Sequence, residues 1–237
     1  MGVDETPDSG PQSPQPPSPA VRADSVPEPA VRRLSLYLRE LEGLLRRGRD
    51  TVSSKQLGEV LNLTDAQVRK DLAYFGQFGH PGIGYRVDEL ISRLRCILGT
   101  DRTWNVLLVG AGHLGSALLS YRGFSKKGFQ VVAVFDSDPA KIGSRIGIGG
   151  SLEILPIEQL PAVVVEREIQ IGVLAVPAEV AQATADQLVA AGIKGILNFA
   201  PASLIVPERV ALATVDLAVH LEQLAFRISA EQVATPK

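Results

Sequence analysis

The run Gly110-Ala111-Gly112-His113-Leu114-Gly115 has the residue types and spacing to hold a diphosphate. In such a run the first glycine permits a tight turn, the second lets a phosphate approach the main chain, and the last lets a helix close onto a strand. Free amides at the start of that helix then attract the anion. The motif has meaning only between a strand and a helix. Trp104 to Val109 reads as a buried strand and Ser116-Ala117-Leu118-Leu119 as the continuing helix, so the context is met.

A second β-rich run, Gln130 to Asp136, ends in a carboxylate 21 residues after Gly115. An acid at that distance accepts hydrogen bonds from an adenine ribose and repels a 2′-phosphate, which favours NAD(H) over NADP(H). No arginine follows Asp136 directly, and Lys141 lies several residues on, so the acid is expected to stand unneutralised. Val163-Val164-Val165, Ile169 to Pro177 and Gly195 to Phe199 read as further strands, with a helix over 178–191. This alternation predicts an α/β domain with a doubly wound parallel sheet, whose ligand lies beyond the carboxyl ends of the strands. Val176, Pro177, Asn198, Phe199, Ala200 and Pro201 fall in the loops there. They join the six loop residues and Asp136 as candidate cofactor positions.

A dehydrogenase also needs a positioned acid or base. The histidines are His80 in a glycine-rich turn, His113 in the phosphate loop and His220 in the last helix, and none is placed as an evident base. No catalytic residue and no metal site is therefore assigned. NADH and NAD⁺ read as regulatory ligands rather than reactants. A small NAD-dependent oxidoreductase with a basic accessory domain is the competing reading, and a CoA- or nucleotide-binding scaffold is a third.

The elements ahead of the nucleotide fold point to a second polymer. Residues 30–100 hold twelve basic and eight acidic side chains, whereas residues 1–29 hold one and five. Only the former segment suits a polyanion. Leu34, Leu38, Leu41 and Leu45 mark a helix over 31–48, and a final helix from Asp88 to Leu98 buries Leu90, Ile91, Leu94 and Ile97. Ser53 with Gln56 and Thr64 with Gln67 are capping boxes opening helices over about 54–61 and 65–75. The short Asn62-Leu63-Thr64 link between them is that of a helix-turn-helix.

On the later helix Val68, Leu72 and Phe75 face inward, leaving Gln67, Lys70 and Tyr74 outward with Arg69 at their flank. That face fits a DNA major groove, a small helical bundle with a solvated basic face being the plain alternative. The glycine-rich run Gly76 to Val87 reads as a β-hairpin, the wing of a winged helix. Ser53, Ser54, Thr64, Gln67, Arg69, Lys70, Tyr74, Gly82, Tyr85 and Arg86 make up the candidate DNA-contacting set.

Composition bounds the rest. The 237 residues, 45% apolar and 21% charged, suffice for two globular domains. No apolar run is long enough to span a membrane and no signal peptide is evident, so a cytoplasmic location is expected. The single Cys96 excludes an internal disulfide and reads as a buried small hydrophobe. Eight of the sixteen prolines lie in residues 1–29, which reads as a disordered arm. The expected division is 1–29 arm, 30–100 winged helix, 101–214 NAD(H) domain and 215–237 terminal helix and tail.

The chain resembles the Rex family of redox-sensing transcriptional repressors over about residues 31–229. The likeness is carried by Gln67 to Gly76, Gly82-Ile83-Gly84-Tyr85, the Gly110 to Gly115 loop, Phe135-Asp136-Ser137-Asp138-Pro139 and Gly192 to Pro201. It implies a homodimer that binds a palindromic operator when NADH is scarce and leaves it when NADH binds. It also implies a terminal helix exchanged between subunits, for which Leu217, Leu221, Leu224 and Ile228 supply an apolar stripe. By motif position it assigns an allosteric relay to Arg39, Tyr121 and Asp216. Leu217 stands where some relatives carry an aromatic residue.

Overall fold

The computed structural model describes residues 26–76, 78–79 and 84–234. Most of the proline-rich arm, the candidate contact Gly82 and the turn residue His80 lie outside the described residues. The chain divides between Asp101 and Arg102 into two compact units.

In the first unit α1 (Glu28–Arg46) starts behind Pro27, and Pro29 sits in its opening turn where no hydrogen bond is lost. A short strand β1 (Thr51–Val52), α2 (Ser54–Leu61), α3 (Asp65–Ala73), β2 (Tyr85–Arg86) and α4 (Val87–Ile97) follow. α1 packs on α4 and α2 on α3. Leu34, Leu38 and Leu41 are buried, but Leu45 is exposed and the wholly buried Tyr37 takes its share of the stripe. Asn62 ends α2 in the left-handed region at φ 55°, a conformation asparagine tolerates. The turn then passes so close to α2 that a Cβ on Gly58 would lie 2.6 Å from the Leu63 carbonyl oxygen.

Two features of this unit add to or correct the expectation. Of the run expected to form the wing hairpin, residues 77 and 80–83 lie outside the described residues, and its second arm, β2, pairs antiparallel with β1, Val52 opposite Tyr85 and Thr51 opposite Arg86. The bulk of Tyr85 explains this, because the pairing buries its ring among the core leucines and valines with 8% of its surface left exposed. Cys96 is exposed, since the stripe of α4 turns Leu90, Ile91 and Leu94 inward instead.

One polar group is fully sealed in this core. The Asp71 carboxylate, with no exposure, accepts from Arg33 Nε at 2.5 Å and Nη2 at 2.8 Å, from the Tyr37 hydroxyl at 2.7 Å and from Gln67 Nε2 at 2.7 Å. Four donors fill its four lone-pair sites, and they fasten α3 to α1. Burial drives the carboxyl pKa upward, but Arg33, Tyr37 and Gln67 outweigh it and hold the group below its ordinary value.

The second unit begins with β3 (Trp104–Val109), α5 (His113–Ser120), the short α6 (Gly123–Lys126), β4 (Phe129–Asp136), β5 (Arg145–Ile146) and β6 (Leu152–Pro156). It continues with α7 (Leu160–Glu166), β7 (Ile171–Leu174), α8 (Ala178–Ala190), β8 (Gly195–Asn198), β9 (Ala211–Thr214) and α9 (Leu217–Ala234). The sheet runs β5-β6-β4-β3-β7-β8-β9, parallel except for the antiparallel edge β5. Without β5 this is the doubly wound order, whose reversal lies between β3 and β7. Val163-Val164-Val165 belongs to α7, not to a strand: Pro161 seeds the first turn, and Val163 and Val164 are buried while Val165 is 76% exposed.

α9 stands apart, because every side chain from Leu217 to Ala230 is exposed, Leu221 at 66% and Phe226 at 74% among them. No helix among the described residues is long and apolar enough to cross a membrane.

Replacing Asp71 by alanine strands Arg33 and Tyr37 and is expected to cost about 3–5 kcal/mol in urea unfolding of the full chain. The folded-state pKa is depressed, so the contribution of Asp71 is complete above an unfolded pKa of about 3.9 and is lost as pH falls through the folded value. Asp71→Asn should flatten the fall of stability below about pH 4, measured as urea midpoints across pH 3 to 7.

Candidate dinucleotide site and nucleic-acid face

The loop after β3 is tied to both neighbouring strands: the Gly110 amide donates to the Phe135 carbonyl at 2.8 Å and the Ala175 amide to the Val109 carbonyl at 2.9 Å. Gly110 has φ +102°, and a Cβ there would strike the Ala175 carbonyl. A Cβ on Gly115 would strike the carbonyl of Gly110, so α5 lies against the loop as closely as a main chain can. A Cβ on Gly112 would meet nothing within 4 Å. Two glycines are thus required by packing, and the third faces open space. Gly112 caps α5 without a side-chain bond, leaving His113 and Leu114 exposed at a helix start that favours an anion. This cradle fits a diphosphate.

Asp136 ends β4 beside that loop, 8% exposed. Its Oδ2 accepts from the Ala111 amide at 2.8 Å and from Lys141 Nζ at 3.1 Å, and its Oδ1 from the Asp138 amide at 2.9 Å. Lys141 therefore does reach the acid, because the turn after β4 folds the chain back through Asp138. Burial works to raise the Asp136 pKa, yet the amides of Asp138 and Ala111 together with Lys141 hold it below the ordinary carboxylate value. The group is ionised at neutral pH, with one Oδ1 lone-pair site open to a ribose hydroxyl.

The loops at the ends of β7 and β8 are adjacent, the Phe199 amide donating to the Leu174 carbonyl at 2.8 Å. Val176 and Phe199 are half-buried there, and Pro177 and Pro201 are exposed. Asn198 is no free ligand. It is wholly buried, with Nδ2 donating to the carbonyls of Ala200 at 3.2 Å and Ala202 at 3.0 Å and Oδ1 accepting from the Ala200 amide at 2.9 Å. Its side chain shapes the turn, and Ala200, 1% exposed, belongs to the core beside α8. Phe199 packs on the opposite face of the sheet, with the cluster that includes Leu118 and Leu119.

In the first unit the hydroxyls of Ser53 and Thr64 cap α2 and α3, each accepting an amide at 3.1 Å. Arg69 bridges the two helix starts, donating to Asp65 at 2.7 Å on α3 and to Ser54 Oγ at 3.2 Å on α2. Lys70 is exposed and Tyr74 half-buried. Gln67 is not free on the outer face as expected, since it gives one amide N–H to Asp71. Tyr85 is likewise removed from the contact set by its burial. Arg86 is exposed but paired with Asp88 at 3.0 Å and Glu89 at 3.2 Å. The clamp on Asp71 escaped sequence reasoning, although an aspartate four residues after Gln67 on the inner flank of a helix was the available signal.

Comparison with known proteins joins these two units. Residues 101–202 match the CoA-binding domain family and residues 25–73 the family described as putative DNA-binding protein N-terminus. A redox-sensing transcriptional repressor Rex from Carboxydothermus hydrogenoformans is 53% identical over 86% of this chain and 96% of its own. The chain belongs to the Rex family. A second Rex repressor, from Desulforamulus reducens, is 48% identical over 90% of this chain and 100% of its own. Among solved structures, RSP in complex with β-NAD⁺ and operator DNA superposes with a TM-score of 0.83 at 40% identity, covering 88% of this chain and 94% of that one. RSP in complex with β-NADH gives 0.79 at 39% identity over 88% and 97%.

The three relay positions of the Rex resemblance have identifiable neighbours here. Arg39 is exposed and pairs with Glu40 at 3.6 Å. Tyr121 is 61% exposed and lies edge-on to Phe124, ring centres 5.1 Å apart. Asp216 accepts from the amides of Ala218 at 2.9 Å and Val219 at 3.1 Å, which makes it the start of α9.

Gly112→Val should cost no more than about 1 kcal/mol in thermal unfolding, a poor cap being its only fault, while lowering dinucleotide affinity at least tenfold in titration. Gly115→Ala should instead destabilise the unit by about 1–3 kcal/mol through overpacking. On DNA, exposed pairs such as Arg69 with Asp65 are worth only about 0.2–1 kcal/mol, so a phosphate displaces them readily. Arg69→Ala and Lys70→Ala should each lower the slope of log affinity against log salt by about one.

Proposed function

We propose that this chain is a DNA-binding transcriptional repressor that senses the NADH/NAD⁺ ratio in the cytoplasm. It holds operator DNA as a homodimer when NADH is low and releases it when NADH is bound. Arg69 and Lys70 of α3 and Tyr74 at its end face the major groove, with Ser53, Ser54 and Thr64 at the helix starts beside the phosphates. The loop from Gly110 to Gly115 and Asp136 hold the dinucleotide. Arg39, Tyr121 and Asp216 relay occupancy, and α9 is exchanged with a second copy that covers its apolar side chains.

The observation that carries this reading is the pair of loops beside the ring position. Val176, Pro177, Phe199 and Pro201, the side chains of these loops that are not buried in the core, are all apolar. Burying the cationic oxidised ring without a partner costs several kcal/mol, whereas the neutral reduced ring enters at little cost. On this reading the site distinguishes the two redox forms by binding and does not interconvert them. The oxidoreductase reading loses its footing there, and the relatives carry repressor names.

Half-sites lie about 34–36 Å apart for one helical turn. A ligand that alters the spacing of the two α3 helices therefore breaks several contacts at once. Coupling must be reciprocal: operator DNA weakens NADH binding by the factor with which NADH weakens operator binding.

A gel shift on the DNA upstream of the protein's own gene, with NADH titrated at fixed NAD⁺, should show release as NADH rises. Retention of DNA at every ratio sinks the proposal. Leu221→Asp combined with Leu224→Asp should yield monomers by sedimentation and weaken operator binding, while NADH still binds.

A further inference from the structure

We propose that Lys141 and Asp138, together with Asp136, set the local charge that decides how strongly the site rejects a 2′-phosphorylated dinucleotide. The proposal rests on the dinucleotide reading above and adds a specificity-determining cluster to it. Asp136 alone would present one full negative charge to the adenine ribose. Instead Lys141 Nζ lies 3.1 Å from Asp136 Oδ2 and 3.7 Å from Asp138 Oδ2, so one ammonium is shared by two carboxylates. The cluster carries one net negative charge, spread over a Lys141 side chain 38% exposed and an Asp138 side chain 45% exposed.

The consequence follows from counting. Lys141 offsets the very charge that excludes a 2′-phosphate, and Asp138 restores it from a position that need not touch the ribose. Asp138 also has a local task, accepting the Ala140 amide at 2.9 Å through Oδ1, which an asparagine oxygen can perform as well. Charge and turn geometry are therefore separable at this residue. At the lysine, arginine keeps the charge and methionine removes it with similar bulk.

The experiment measures the affinities of the full-length protein for NADH and NADPH by the fluorescence of the reduced ring. Lys141→Met should raise the preference for NADH over NADPH roughly fivefold, and Asp138→Asn should lower it by a similar factor, as expected for single charges at partly exposed positions. The double variant should return close to wild type, and Lys141→Arg should match it. The spread among variants should shrink in high salt as the charges are screened. A preference that is unchanged in both single variants, or that moves the same way in both, overturns the proposal. Wild-type protein that binds neither nucleotide overturns the dinucleotide reading itself, a result distinct from a flat charge series.

Discussion

The nucleotide unit is organised around main-chain contacts too close for any side chain. At Gly110 and Gly115 the loop, α5 and the end of β7 meet backbone to backbone, and this brings the positive end of α5 to the reversal point of the sheet. The open space at Gly112 is the complement of that crowding. Asp136 belongs to the same arrangement, because the Ala111 amide bonds to its carboxylate and couples the glycine loop to the end of β4. The polar groups of the proposed dinucleotide site are thus fixed by the chain's own contacts, as preorganised binding requires.

The first unit solves a related problem with a different device. A recognition helix of nine residues has too little of its own core to fix its angle. Asp71 supplies the missing constraint, its carboxylate gripped by two side chains of α1 and one of its own helix. Removing an ion from water is costly, and only complete satisfaction by donors makes it tolerable. The outer face is left to the exposed Arg69 and Lys70, and the surface pair of Arg69 with Asp65 is of the weak kind that a phosphate would displace.

Much of this was legible in the residues. The strand from Trp104 to Val109, the glycine loop and Asp136 declare themselves because spacing and chemistry coincide, and the short helices declare themselves through Ser53 and Thr64. What stayed hidden depends on contacts that the local pattern of residue types does not declare. Tyr85 looks like an outward-facing residue until β1 is seen to cover it, and the three valines at 163–165 look like a strand until burial falls on two of them alone. Asn198 carries the residue type of a ligand yet spends every polar atom on its own turn. Lys141 is read as remote from Asp136 until the intervening turn is known.

The bare α9 carries a consequence for how such a protein behaves in a population of chains. If a second copy covers the exposed side chains from Leu217 to Ala230, as proposed, the completed sensor is second order in protein concentration. Subunits would then be interchangeable through that segment. A copy impaired in α3 but intact in α9 would sequester sound copies in mixed assemblies, and a single faulty allele would then act dominantly.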